Sequence, residues 1–254
     1  MKNNVKTALV TGGSRGLGKN MALSLAKKGI DVVLTYLTNR NAAQEVVAEI
    51  ESEGRKAAAF QLDTSDVGKF EPFMKKITGY LEKELGSPKF DFLINNAGTA
   101  LYSTKISTTV EQMDEMYNIH FKGVFFLTQS ALPFLNDGGC VVNISSGLAR
   151  MTLPGYSVYG AMKSAVETYT RYLAKELGER RIRANVVAPG AIETDFGGGH
   201  VRDNKDLNAF IASVTALGRV GLPEDIGGVV AFLCTDEAGW INAQRIEVSG
   251  GQML

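Results

Sequence analysis

An α/β fold is predicted: a doubly wound parallel sheet of seven strands with helices on both faces. Two observations carry that expectation. Apolar runs alternate with helical patterns from end to end of the chain, the signature of successive strand–helix–strand units. Most of the runs are continuous Val, Ile and Leu, as expected of strands buried on both faces. No repeat, linker or low-complexity tract breaks the pattern, so one continuous domain over 1–254 is expected.

The elements follow in order. A short polar tail, Lys2-Asn3-Asn4, precedes a first strand at Thr7–Val10. A helical pattern over about 16–28 places Leu17, Met21, Leu25 and Ala26 on one face. Further strands are expected at Val32–Thr35, Ala58–Leu62, Phe92–Asn95, Cys140–Ser145, Arg183–Ala188 and Arg245–Val248. Helical patterns lie between them at about 40–53, 66–85, 110–135, 156–179 and 223–235. Right-handed crossovers then wind the sheet both ways from its centre. The stretch 191–205 resists assignment. Its Gly197-Gly198-Gly199 suits either a mobile lid over about 191–215 or an irregular connection.

Composition narrows the classes. The chain has 254 residues, 44% apolar and 21% charged, as an ordinary globular protein does. Its 27 basic and 27 acidic residues cancel, so neither nucleic acid nor an anionic membrane is expected as partner. Cys140 and Cys234 lie in apolar stretches and read as buried thiols. They show no metal-ligand spacing with each other or with His120 and His200, and no metal site is expected. The MKNNVK start has no apolar signal region, and no run is long enough to span a bilayer, so a cytoplasmic location is expected.

The most informative stretch is Thr11-Gly12-Gly13-Ser14-Arg15-Gly16-Leu17-Gly18, between the first strand and the first helix. Strand, glycine turn and helix in that order form a phosphate cradle. The glycines let backbone amides approach a pyrophosphate, which then rests at the positive end of the helix. A dinucleotide is the expected ligand. Downstream, Tyr159 and Lys163 lie four apart and share a helix face. At about 4 Å and an effective dielectric near 20, a lysine ammonium favours a phenolate by at most ~4 kcal/mol. Alone, such a pair equally suits an ordinary surface helix. Ser146 ends the Cys140–Ser145 strand, where ligands sit in open parallel sheets. Ser146, Tyr159 and Lys163 lack the histidine–carboxylate arrangement of a hydrolase.

Taken together, the segments Thr11–Gly18, Asp63-Thr64, Asn95-Asn96-Ala97-Gly98, Ser146, Tyr159-Gly-Ala-Met-Lys163 and Pro189-Gly190 resemble the short-chain dehydrogenase/reductase family, across almost the whole chain. The resemblance implies a Rossmann-type fold and an oxidoreductase that interconverts a carbonyl and an alcohol. It implies that Ser146 holds the substrate oxygen, Tyr159 moves the proton, and Lys163 holds the nicotinamide ribose and lowers the tyrosine's pKa. Ser145 competes for the serine role, and the family's spacing selects Ser146. The cofactor contacts it implies are Gly12, Ser14, Arg15, Gly16, Leu17 and Gly18 in the turn, with Asp63 and Thr64 on the adenine side. Asn96, Ala97 and Gly98 either let backbone approach the cofactor or, in the case of the asparagines, simply tie strands together. Pro189, Gly190, Ile192 and Thr194 resemble a nicotinamide-side clamp. Asp195 and His200 lie beyond it and either contact substrate or face water.

One position departs from the family pattern. Many members carry asparagine three residues before the Gly-Val-Phe of the central helix. Here Gly123-Val124-Phe125 puts His120 there, with Asn118 two residues out of register. A histidine keeps the main-chain carbonyl through which the family asparagine is thought to act, and an imidazole exchanges protons near neutral pH. The competing reading is a packed helix histidine with one hydrogen bond. The end of the second strand carries Tyr36, then Leu37, Thr38, Asn39 and Arg40, with none of the acid that NAD-specific sites place there. Arg15 and Arg40, with Thr38 and Asn39, resemble a 2′-phosphate site, so NADP(H) is expected over NAD(H).

Three further expectations rest on resemblance. Many similar members are 3-oxoacyl carrier-protein reductases, which need a basic mouth. Arg180 and Arg181 are the candidates for it, but Leu135-Asn136-Asp137-Gly138-Gly139 lacks the basic residues often found before that strand. A small alcohol, sugar or xenobiotic carbonyl is equally open, as is a non-catalytic NADP(H)-binding module that reports redox state or scaffolds a partner. The helices 110–135 and 156–179 match those that pair in family tetramers, so a homotetramer is expected.

Overall fold

The computed structural model describes residues 5–104 and 106–254, so the polar tail Lys2-Asn3-Asn4 lies outside the described residues. Seven strands form one sheet: β1 Thr7–Val10, β2 Asp31–Tyr36, β3 Ala57–Gln61, β4 Phe90–Asn95, β5 Leu135–Ile144, β6 Arg183–Pro189 and β7 Arg245–Val248. Their order is β3-β2-β1-β4-β5-β6-β7, with every pairing parallel. The order reverses between β1 and β4, which opens a crevice at the carboxyl ends of those strands.

Strand side chains alternate between two cores. Ala8, Val10, Val32 and Leu34 face the first core, with α1 Gly16–Lys27, α2 Arg40–Ser52 and α9 Pro223–Leu233. Leu9, Val33 and Leu93 face the second, with α3 Phe70–Leu85, α5 Gly123–Ala131 and α6 Ser157–Glu176. Met21 and Leu25 of α1 and Ile77 and Leu81 of α3 are fully buried, each worth roughly 1.5–3 kcal/mol of transfer free energy. Leu17 packs at the margin of the first core. Asn39 caps α2 by accepting from Ala42 N at 3.0 Å.

Four expected elements differ. The 66–85 helix begins at Phe70, after a 3-10 turn at Val67–Lys69. The single helix expected at 110–135 is divided into α4 Val110–Tyr117, a π-helical turn at Asn118–Lys122, α5, and a 3-10 turn at Leu132–Phe134 where Pro133 ends the ladder. The fifth strand starts at Leu135 rather than Cys140. Leu135 pairs with Phe90 and Cys140 with Phe92, so residues 136–139 bulge out of register. The glycine-rich stretch is not an open loop. A turn at Phe196–Gly199, with Gly197, Gly198 and Gly199 all at positive φ, leads into α7 His200–Asp203 and α8 Lys205–Ser213.

Candidate functional site

The glycine turn, Asp63-Thr64, Asn96-Ala97-Gly98, Ser146 and Pro189-Gly190 each follow a strand of this sheet at its carboxyl edge, because all strands run parallel. The glycine turn is tied to β4. Thr11 Oγ1 accepts from the amides of Asn96 and Ala97, each at 2.9 Å. Asn96 Nδ2 donates to the carbonyls of Thr11 and Gly12 at 2.9 and 3.2 Å. Asn95 Nδ2 bridges to Thr128 and Asn143, and Asn143 to Thr170. The asparagines thus tie strands and helices, while Ala97 and Gly98 are left beside the turn.

The turn suits a pyrophosphate. A Cβ on Gly18 would strike the Gly12 carbonyl, so only glycine lets α1 begin this close to β1. Arg15 gives α1 no side-chain cap, and the first turn carries no acid. First-turn amides therefore stay open at the positive helix end. Ser14 sits within the turn, and Thr194 lies over Gly16. Tyr36 is buried at the end of β2, Arg15, Thr38, Asn39 and Arg40 are exposed, and no carboxylate stands between positions 36 and 40. Asp63 Oδ1 accepts from the Ser65 amide and hydroxyl at 2.9 and 2.6 Å, and the Ser65 hydroxyl holds its pKa below the usual value. The Thr64 carbonyl packs on Gly123. After β6, Gly190 N donates to Val248 O at 3.0 Å, and Ile192 bridges to Gly221, which steers Pro189–Thr194 back toward the turn.

Ser146, Tyr159 and Lys163 converge at the end of β5. Tyr159 and Lys163 are buried on one face of α6. The Ser146 hydroxyl accepts from Leu148 N at 3.2 Å and lies within hydrogen-bonding reach of the Tyr159 hydroxyl. Ser145 points elsewhere, its hydroxyl donating to Glu167 Oε1 at 2.7 Å. The expected lowering of the tyrosine pKa is not what the structure shows. Burial pushes the Tyr159 phenol well above its usual value, with the Ser146 hydrogen bond opposing. Lys163 Nζ donates to the Ile144 carbonyl at 2.8 Å and sits 5.5 Å from the Tyr159 ring centroid, and burial brings the ammonium down to about 8.

His120 belongs to this cluster, its ring meeting that of Tyr159 edge-on at 5.1 Å between centroids. Of the two readings, the packed histidine with one hydrogen bond fits, and the imidazole does not titrate near neutrality. Burial, and then the Lys163 charge, push it down to about 3, against the Thr99 hydrogen bond. Its Nε2 donates to the Thr99 carbonyl at 2.8 Å. Nδ1 is buried with no partner among the described residues. Asn118 faces Lys122 Nζ at 3.4 Å instead.

Other expected contributors are elsewhere. Arg180 and Arg181 precede β6 and lie at the opposite, amino edge of the sheet. There Arg180 bonds Asp137 at 2.8 Å, so the pair provides no basic mouth. Asp195 is engaged by Arg202, and His200 opens α7. Sequence reading missed Tyr102 and Tyr156, which meet edge-on at 5.6 Å, while Phe196, within the expected 191–215 lid, lies 6.2 Å from Tyr159. It also missed Arg245, whose side chain reaches the Ser146 carbonyl at 3.2 Å. Two charges two residues apart in a short terminal strand, Arg245 and Glu247, were the available signal.

A nucleotide cradle at the switch point beside a buried serine–tyrosine–lysine cluster defines a Rossmann-type oxidoreductase. The enoyl-(acyl carrier protein) reductase family profile matches residues 12–253. The chain belongs to the short-chain dehydrogenase/reductase family. It is 37% identical to tetrahydroxynaphthalene reductase PfmaG of Pestalotiopsis fici over 257 residues, covering 97% of this chain and 91% of the relative. Its fold matches the promiscuous reductase LugOII, which catalyses keto-reduction at C1 during lugdunomycin biosynthesis, with a TM-score of 0.93, 37% identity and 98% coverage of both chains. The landomycin C-6 ketoreductase LanV with bound NADP and rabelomycin matches with a TM-score of 0.89 and 35% identity, over 98% of this chain and 96% of that one.

Proposed function

We propose that this protein is an NADP(H)-dependent ketoreductase of aromatic ketones, with Tyr159 as the proton donor. The contact of Ser146 with a buried Tyr159, beside the glycine cradle, carries the reading. NADPH, held by the glycine turn and the Pro189–Thr194 segment, would supply the hydride when bound. Ser146 holds the substrate oxygen, and Tyr159, protonated because burial opposes its phenolate, gives that oxygen its proton. Lys163 orients the nicotinamide ribose and adds positive charge beneath the tyrosine. His120 is a neutral positioning group that packs against Tyr159. Arg15 and Arg40 hold the 2′-phosphate, Thr38 and Asn39 assist, and the absence of an acid after β2 removes the repulsion an NAD-specific site would impose.

Similarity to naphthalene and angucycline reductases, together with Tyr102, Tyr156 and Phe196 at the mouth, supports a flat aromatic substrate. The placement of Arg180 and Arg181 removes the support for an acidic acyl carrier. The segment 191–215 is the substrate lid, and 1–254 works as one domain. The assembly is a cytoplasmic homotetramer, a location supported by the two free buried thiols. No helix among the described residues is long and apolar enough to cross a membrane.

The test is NADPH oxidation across naphtholic ketones, quinones, simple aldehydes and β-ketoacyl thioesters, with native protein and Tyr159→Phe. Turnover of the aromatic ketones, lost in Tyr159→Phe while NADPH still binds, is expected. Unchanged turnover in Tyr159→Phe overturns the proton-donor role, and a preference for β-ketoacyl thioesters overturns the substrate class.

A further inference from the structure

Arg245 joins three elements behind the site. Its Nε donates to Glu167 Oε1 at 2.6 Å, Nη1 reaches Glu247, and Nη2 donates to the Ser146 main-chain carbonyl at 3.2 Å. The Arg245 and Glu167 side chains are only 9% and 12% exposed. The same Glu167 oxygen accepts from the Ser145 hydroxyl at 2.7 Å, and that hydroxyl lies 3.5 Å from the Lys163 carbonyl. Glu167 is one helical turn beyond Lys163 on α6 and two beyond Tyr159. Neither charge touches the reacting atoms.

A buried ion pair is a weak source of stability, because desolvation offsets most of its attraction. A planar guanidinium does something an apolar pair does not: it holds several acceptors in one fixed plane. Here those acceptors belong to the loop that carries Ser146, the helix that carries Tyr159, and β7. We infer that Arg245 and Glu167 are positioning residues that set the spacing between the Ser146 and Tyr159 hydroxyls. Arg245 fixes the serine by its carbonyl, and Glu167 fixes both α6 and the neighbouring Ser145. The inference rests on the reading that Ser146 and Tyr159 together hold the substrate oxygen.

The experiment is a double-mutant cycle of Arg245→Met and Ser146→Ala, with Arg245→Met/Glu167→Leu as a control for folding. Steady-state kcat, KM for ketone and NADPH, and Tm are measured for each. Arg245→Met is expected to lower kcat by roughly tenfold to a hundredfold, the scale of a misplaced reacting group, with the NADPH KM near its native value. In the Ser146→Ala background the same change is expected to cost little more. The apolar double replacement is expected to restore Tm but not kcat. If Arg245→Met costs the same factor in both backgrounds, or if the apolar pair restores kcat along with Tm, the pair is structural and the inference is overturned. If Ser146→Ala alone keeps full kcat, the serine reading fails first and takes the inference with it.

Discussion

Lys163 is the residue whose ionisation sets the working pH of the proposed site. Burial brings its ammonium down to about 8, whereas His120 stays neutral to about 3 and Tyr159 is held protonated well above its usual value. The charged lysine is therefore present below about pH 8 and is lost as pH rises through that value. Ketone reduction is expected to hold steady from about pH 6 to 7.5 and then fall about tenfold per pH unit. Replacing Lys163 with arginine, which stays charged, should remove that fall at a lower plateau rate. A pH–rate profile checks both, and a limb near neutrality that vanishes in His120→Asn would show that the imidazole titrates after all. The nearness of Ser146, Tyr159 and Lys163 was legible from helix spacing and a strand end taken with the family resemblance. The ionisation states were not, since spacing reports proximity and says nothing of desolvation. Arg245 and Glu167 lie 78 residues apart, and only tertiary packing brings them together.

The central helix shows what a periodic pattern conceals at the scale of an element. Residues 110–135 keep helical periodicity, yet the chain inserts a π turn at Asn118–Lys122 before α5 resumes at Gly123. A physical reason lies across the gap. A Cβ on Gly123 would strike the Thr64 carbonyl and sit 2.9 Å from the Asn118 carbonyl. The helix therefore runs against the loop after β3, and the wider turn places His120 under Gly98 and beside Tyr159. Strand existence was legible because each run is apolar and short. The β5 bulge was not, because it answers to Asp91, 45 residues earlier, which accepts from Asn136 Nδ2. Nor were the helical turns at 196–213, which follow three glycines at positive φ that a periodic pattern does not register. Gly123→Ala is expected to destabilise by about 1–3 kcal/mol through overpacking, a Tm loss of several degrees in a chain of this size. Thermal melts with and without NADPH check it, and an unchanged Tm would mean that the Thr64 loop yields freely.

At the scale of the whole molecule, the exposed apolar face of α4, α5 and α6 is the feature that a lone chain leaves unexplained. Val110 is 72% and Tyr172 64% exposed, and Met113, Tyr117 and Phe126 are exposed on the same helices. Phe121, Phe125 and Tyr169 stack at 4.8–6.4 Å between centroids. Large apolar side chains exposed on one set of helices suit an interface. The net charge of zero does nothing to keep copies apart. In a closed symmetric assembly the same face of each copy meets its equivalent, and one residue change is repeated across every contact. A carboxylate placed at the centre of such a face is then buried opposite its own copy, where like charges cost several kcal/mol. Tyr172→Glu is accordingly expected to shift the proposed homotetramer toward dimers or monomers. Sedimentation velocity at micromolar protein checks this directly. The native chain sedimenting as a monomer refutes the assembly, and a Tyr172→Glu variant that stays tetrameric places the interface on another face. Tyr172 lies on the same helix as Tyr159, Lys163 and Glu167, so dissociation is also expected to lower kcat as the α6 surface loses its support.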